Sequence, residues 1–169
     1  MQSILHLPGR PFESDAAVVD WLLAAERLPA PKPPPRGLAA EADNLCAAIE
    51  GCVRAVATGA MPDPDAVTLI DDWLVFAGVR PQLVPGPDGV PVLGERPAAD
   101  SPRRALGMLA LEAARLVGRP EQRSRLRICA GCAEVFFDRS PAGRRRWCSM
   151  RTCGNRAKAR RHRERQGEP

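Results

Sequence analysis

Cys129, Cys132, Cys148 and Cys153 occupy 25 consecutive residues as a CxxC pair, a fifteen-residue interval and a CxxxxC pair. The tract around them is so rich in arginine and so poor in apolar side chains that hydrophobic burial alone cannot hold it folded. This spacing is that of structural zinc sites, in which two short knuckles each present two thiolates to one tetrahedral ion at about 2.3 Å. A CxxC turn directs two sulfurs at one point, and fifteen residues suffice for a hairpin that returns the chain. Four sulfurs leave no position open for water, so one structural Zn2+ is expected and no catalytic one. Metal binding on the order of 10 kcal/mol supplies what a miniature core of Ile128, Val135, Phe136, Phe137, Trp147 and Met150 cannot.

Two disulfides or four unrelated thiols are the competing readings. Disulfides need an oxidising compartment, and the N-terminus, MQSILHLPGRPFESD, has no apolar core followed by a small-residue cleavage site. No run approaches the roughly eighteen apolar residues of a membrane span. The expectation is a soluble, cytoplasmic protein without membrane association. A redox CxxC opens a helix in a thioredoxin-like fold, whereas this one lies between the strand-like segments RLRI and EVFFD.

Charge divides the chain at the same place. Residues 1–122 carry 11 basic and 16 acidic side chains, a net of minus five; residues 123–165 carry 14 basic and 3 acidic, a net of plus eleven. A basic module (123–169) is joined to an acidic domain (1–122), and that asymmetry directs the basic part toward a polyanion. Its last segment reads as a helix with little to bury. Arg156, Arg160 and Arg163 share one face of it, and Lys158, Arg161 and Arg165 share another. Like charges repel at these spacings and only Glu164 offsets them, so an anionic partner is expected. Arg144, Arg145 and Arg146, in the returning hairpin, extend the positive surface, and Asn155 has donors and acceptors suited to base edges. DNA is the favoured partner. An acidic protein surface is the alternative, and a merely solvated helix the plainest one. Single-stranded RNA is disfavoured, because Trp147, Phe136 and Phe137 are needed inside.

The first 122 residues read as helical. Val18, Trp21, Leu22, Ala25 and Leu28 form a first apolar stripe, with Ser14 or Asp15 as cap, ended by five prolines between Pro29 and Pro35. Leu38, Ala42, Leu45, Ile49, Cys52, Val53 and Val56 form a second stripe of about five turns, and Cys46 and Cys52 belong to it as core thiols. Asp63 and Pro64 start a third helix that buries Ala66, Leu69, Ile70, Trp73, Leu74 and Ala77. Residues 82–93, QLVPGPDGVPVL, predict a small hairpin whose prolines confine it to an edge. Ser101 and Pro102 open a fourth helix that buries Ala105, Leu106, Leu109, Ala113, Leu116 and Val117.

No catalytic constellation stands out. There is no glycine-rich phosphate loop, and His6 is the only histidine before His162. Asp71 and Asp72 diverge by about 100° on a helix and read as a solvated face. The chain is expected not to be an enzyme.

Cys153, Gly154, Asn155 and Arg156 spell CGNR, and with WCSM, the upstream RRRW and the CxxC at Cys129 they resemble the CGNR zinc finger family over residues 125–165. In that family the finger follows a helical domain called ABATE, and the pair is described as a "putative stress-induced transcription regulator". The resemblance implies a mainly α fold: a helical, ligand-sensing N-terminal domain with one small β-hairpin, and a treble-clef-like or zinc-ribbon-like module that ends in a basic helix. It implies Cys129, Cys132, Cys148 and Cys153 as ligands, DNA as partner and a small molecule as effector of the N-terminal domain. Five positions is about 500° of helical rotation, so Cys148 must precede the terminal helix and Cys153 lie in its first turn, with Ser149 as cap.

Overall fold

The second apolar stripe forms α2 (Leu38–Thr58), the axis of the fold, with Leu38, Ala42, Leu45, Ile49, Cys52 and Val53 buried. The computed structural model describes residue 5, residues 7–97 and residues 100–167, so His6 lies outside the described residues. Against α2 pack α1 (Asp15–Ala24), α3 (Pro64–Leu74) and α4 (Pro102–Gly118). From α4, Ala105, Leu106, Leu109, Ala110 and Ala113 enter the core. Where α4 passes the end of α3, a Cβ on Gly107 would lie 2.6 Å from the Phe76 carbonyl carbon and the Ala77 nitrogen. Only glycine permits that approach. Asp71 and Asp72 are exposed, as a solvated face requires.

Cys46 and Cys52 are buried in this core. Burial, with Asp43 adding to it, pushes the Cys46 thiol up to about 12, and burial likewise raises Cys52. Both therefore stay protonated and act as small apolar side chains.

Both candidate caps of α1 are used, for different helices. The Ser14 hydroxyl accepts from the Ala17 amide (3.2 Å) and caps α1 itself. Asp15 reaches across the proline linker and accepts from the amides of Gly37 (3.0 Å) and Ala39 (2.8 Å). It thereby satisfies free donors of α2, whose own cap residue, Gly37, has no side chain to do so. α1 ends at Ala24, well before the prolines. Glu26 turns left-handed (φ 55°) and the Arg27 amide returns to the Leu22 carbonyl (2.8 Å), so Leu28 is buried from a turn instead of a helix.

The hairpin pairs β1 (Val79–Pro85) with β2 (Pro91–Pro97) in antiparallel register, Leu83 opposite Leu93. The Gly86 amide donates to the Val90 carbonyl (2.9 Å), so by alternation Pro81, Pro85, Pro91 and Pro97 all occupy positions whose backbone faces outward. Their missing amides blunt both edges against further pairing.

After α4 and the single turn α5 (Pro120–Arg123), β3 (Leu126–Ile128) pairs with β4 (Val135–Phe137) in a second antiparallel hairpin. This hairpin lies against α2. Leu126, 1% exposed, belongs to the main core, and Val135 and Phe137 pack on it. Arg54 of α2 donates to the Ala133 carbonyl (3.1 Å). The expected miniature core is therefore divided. Strand alternation sends Val135 and Phe137 to the helical side and Phe136 to the other, where it is buried with Cys129 and Cys153 beside Trp147. Met150 is 45% exposed. Among the described residues no helix is long and apolar enough to cross a membrane.

Candidate functional site

The turn of the second hairpin carries the CxxC pair. The Cys129 amide donates to the Glu134 carbonyl (2.9 Å) and the Ala133 amide to the Cys129 carbonyl (2.9 Å), with Ala133 left-handed at φ 59°. The other pair frames a helix start. Cys148 precedes it and Cys153 lies in a single π-helical turn, Met150–Gly154, that leads into α6 (Asn155–Gln166). Ser149 caps the turn, accepting from the Thr152 amide (3.3 Å). Both placements are those the spacing predicts.

The four Sγ atoms lie within 4.8 Å of one another, with Cys132 to Cys148 at 3.8 Å and Cys148 to Cys153 at 3.7 Å. A tetrahedron with zinc–sulfur bonds of about 2.3 Å has edges of about 3.8 Å, so the four sulfurs fit one structural zinc ion. A disulfide would bring two sulfurs to about 2.05 Å, and all six cysteines are free. The knuckles close tightly. A Cβ on Gly131 would lie 2.9 Å from that of Cys153, so the CAGC turn needs glycine there to approach the second pair.

Backbone amides prepare the site for charge. Those of Gly131 and Cys148 each donate to the Cys129 sulfur at 3.4 Å. Burial pushes the Cys129 thiol up, but the amides of Cys148, Gly131 and Cys132 outweigh it and hold it at about 6. Burial and then the neighbouring sulfurs drive Cys148 up to about 12, and burial raises Cys132 as well. A divalent cation among them reverses that penalty, since thiolates are the ligands zinc takes.

The returning segment is a series of turns, not the expected hairpin. Its organiser is Asp138, a fully buried carboxylate. It accepts from the Ser140 amide (3.0 Å) and hydroxyl (2.6 Å) and from the Arg145 amide (2.8 Å). Burial opposes its charge, but the Ser140 hydroxyl and the Arg145 and Ser140 amides hold its carboxyl down to about 2. Arg125 donates to the Ser140 carbonyl (2.7 Å) and Arg127 to that of Gly143 (2.9 Å), so two arginines of the basic tract are fasteners of this loop. The sequence reading missed Asp138. Its signal is the DRSP run, where Asp and Ser before proline mark a side-chain-closed turn.

Arg144, Arg145 and Arg146 are exposed on that loop. Arg145 donates to the Cys148 carbonyl (2.8 Å) and its guanidinium lies 5.7 Å from the Phe136 ring centre; that of Arg146 lies 5.2 Å from the Trp147 ring. They brace the metal loop as well as charging it. The exposed Asn155 amide donates to the Arg151 carbonyl (3.3 Å). In α6 only Ala157 is buried, while Arg156, Lys158, Arg160, Arg161, Arg163 and Arg165 are all exposed. Arg160 lies 3.7 Å from Glu164, and Arg161 donates to the Ala157 carbonyl (3.4 Å). Twelve residues make a rod about 18 Å long, held at one end.

A cysteine-knuckle hairpin joined to a helix start is a zinc finger in kind, and residues 125–166 match the CGNR zinc finger model. Residues 7–120 match the ABATE model, described as a "putative stress-induced transcription regulator", and the chain belongs to that family. A search of curated proteins returns no match.

Proposed function

We propose that this protein is a DNA-binding transcription regulator, not an enzyme, in which a helical unit (1–122) carries a zinc-stabilised, treble-clef-like unit (123–169) that applies α6 to duplex DNA. The observation that carries this reading is the isolation of α6: beyond Ala157 every described residue of it is exposed, and six cations face solvent against one carboxylate. An unsupported helix of this length is marginal in water, and cations three and four apart weaken it further. Phosphates on either side relieve that repulsion, and a major groove about 12 Å wide admits such a rod. Arg144 and Arg146 on the neighbouring loop add cationic contacts near its base.

Measuring affinity for duplex DNA as a function of salt tests the proposal. Each neutralised phosphate contributes a slope of about −0.9 in log affinity against log salt, so Arg160→Ala and Arg163→Ala should each flatten it by roughly one. Absence of binding at low salt, or slopes unchanged in both variants, refutes it and leaves an acidic protein surface as the partner for the same helix.

A further inference from the structure

We infer that the cavity between α4, α5 and the end of β4 is a binding site for a small organic carboxylate with an apolar body. It has a volume of about 410 Å³, within the range of small-molecule sites. Leu5, Leu116 and Phe137 form its apolar walls, and Arg115, Arg139, Gln122 and Glu112 supply its polar groups. The one carboxylate among the described lining residues is already neutralised, because Glu112 accepts from Arg27 at 3.0 Å. The exposed Arg139 thus leaves the rim of the cavity electropositive. Arg115 has an interaction of its own within the chain, whereas Arg139 stands exposed on the rim. One guanidinium presents a planar fork that matches one carboxylate. Apolar lining beside it suits an aromatic or aliphatic body and not a sugar or a bare inorganic anion.

Position gives the site a consequence. Arg139 lies between Asp138 and Ser140, the two residues whose hydrogen bonds close the loop that bears Arg144, Arg145 and Arg146. A ligand held by Arg139 and Phe137 therefore bridges the helical bundle and that loop, and restrains the loop.

The test is calorimetric titration of the zinc-loaded full chain with 2-naphthoate, and with 2-naphthamide as the neutral isostere. Naphthoate should bind saturably, one molecule per chain, with the amide at least about tenfold weaker. Arg139→Ala should weaken naphthoate by a similar factor, and Gln122→Trp, which fills the cavity, should abolish binding. Neither side chain belongs to the core, and an unchanged unfolding midpoint verifies that both variants fold. Hydrogen exchange at residues 139–146 should slow when naphthoate is bound. The inference is overturned if naphthoate shows no saturable binding below about 10 mM, if the amide or Arg139→Ala matches it, or if Gln122→Trp leaves the affinity unchanged.

Discussion

Chelating the zinc should release the knuckle at residues 129–133 and the chain from Arg139 to Gln166, while α1 to α4 and the docked side of the β3–β4 hairpin remain folded. The expectation follows from unequal support. On its own side the module buries Phe136 and part of Trp147, and full burial of one large apolar side chain contributes about 2–3 kcal/mol. Four-thiolate zinc contributes on the order of 10–16 kcal/mol to modules of this size, several times more. Beyond Ala157, α6 adds no burial at all. The hairpin is differently placed, since Leu126 is in the main core and Val135 and Phe137 lean on it, so its helical side stays docked. Hydrogen exchange read by mass spectrometry separates these fates. The amides of Ala130, Ala133 and Gly154, bonded in the zinc-ready fold to Arg146, Cys129 and Ser149, should lose protection when metal analysis shows the zinc gone. Amides within α2 should keep theirs within about twofold. Persistent protection at the knuckles without metal would refute the energetic argument; simultaneous loss in α2 would show that hairpin and bundle unfold as one unit.

Zinc uptake should also release protons. At pH 7 Cys148, raised to about 12, and Cys132, raised in the same direction, are thiols until the ion arrives, so about two protons or more per zinc should appear in weakly buffered titrations; release of none would contradict the burial argument. Asp138→Asn should open the loop from Arg139 to Arg146, because an amide cannot accept from Ser140 and Arg145 together without turning a donor toward one of them. Faster exchange of the Arg145 amide reports it. In acid the wild-type contribution should follow the sign of the shift: with the folded carboxyl at about 2, it is complete above the usual carboxylate range near 4 and fades as pH falls toward 2. Zinc content must be followed in parallel. Asp15→Ala should lower stability by about 1 kcal/mol through loss of the distant cap on α2, seen as a lower denaturant midpoint with an unchanged slope. An unaltered midpoint would mean that water caps Gly37 and Ala39 equally well.

Where the chain's order was legible, the reason was local. Helical periodicity located α2 and α4 with their buried faces, because a 3.6-residue repeat states which side meets a core without saying which core. The cysteine spacing placed Cys148 before the terminal helix and Cys153 in its first turn, since rotation per residue allows little else. What failed depended on partners distant in sequence. Asp15 is a cap, but for the helix beyond the proline linker. Val135, Phe136 and Phe137 read as parts of one separate miniature core, yet alternation along β4 divides them between two environments. Asp138, a charged residue in a basic tract, was missed although the DRSP run marks its turn, because its burial also needs the Arg145 amide to close on it from seven residues further on.

By itself, then, the amino-acid sequence determined that the chain has helices with apolar stripes, four thiols spaced for one tetrahedral ion, and a terminal helix with cations on both sides and almost nothing to bury. These are properties of neighbours along the chain, decided by rotation, composition and charge. Tertiary structure alone decided that the zinc hairpin is seated on α2 and that two arginines of the basic tract fasten the metal loop while others face solvent. It also formed a cavity with Arg139 at its rim where bundle and finger meet. These features require surfaces from residues far apart to come within a few ångströms, and only the packed core brings them there.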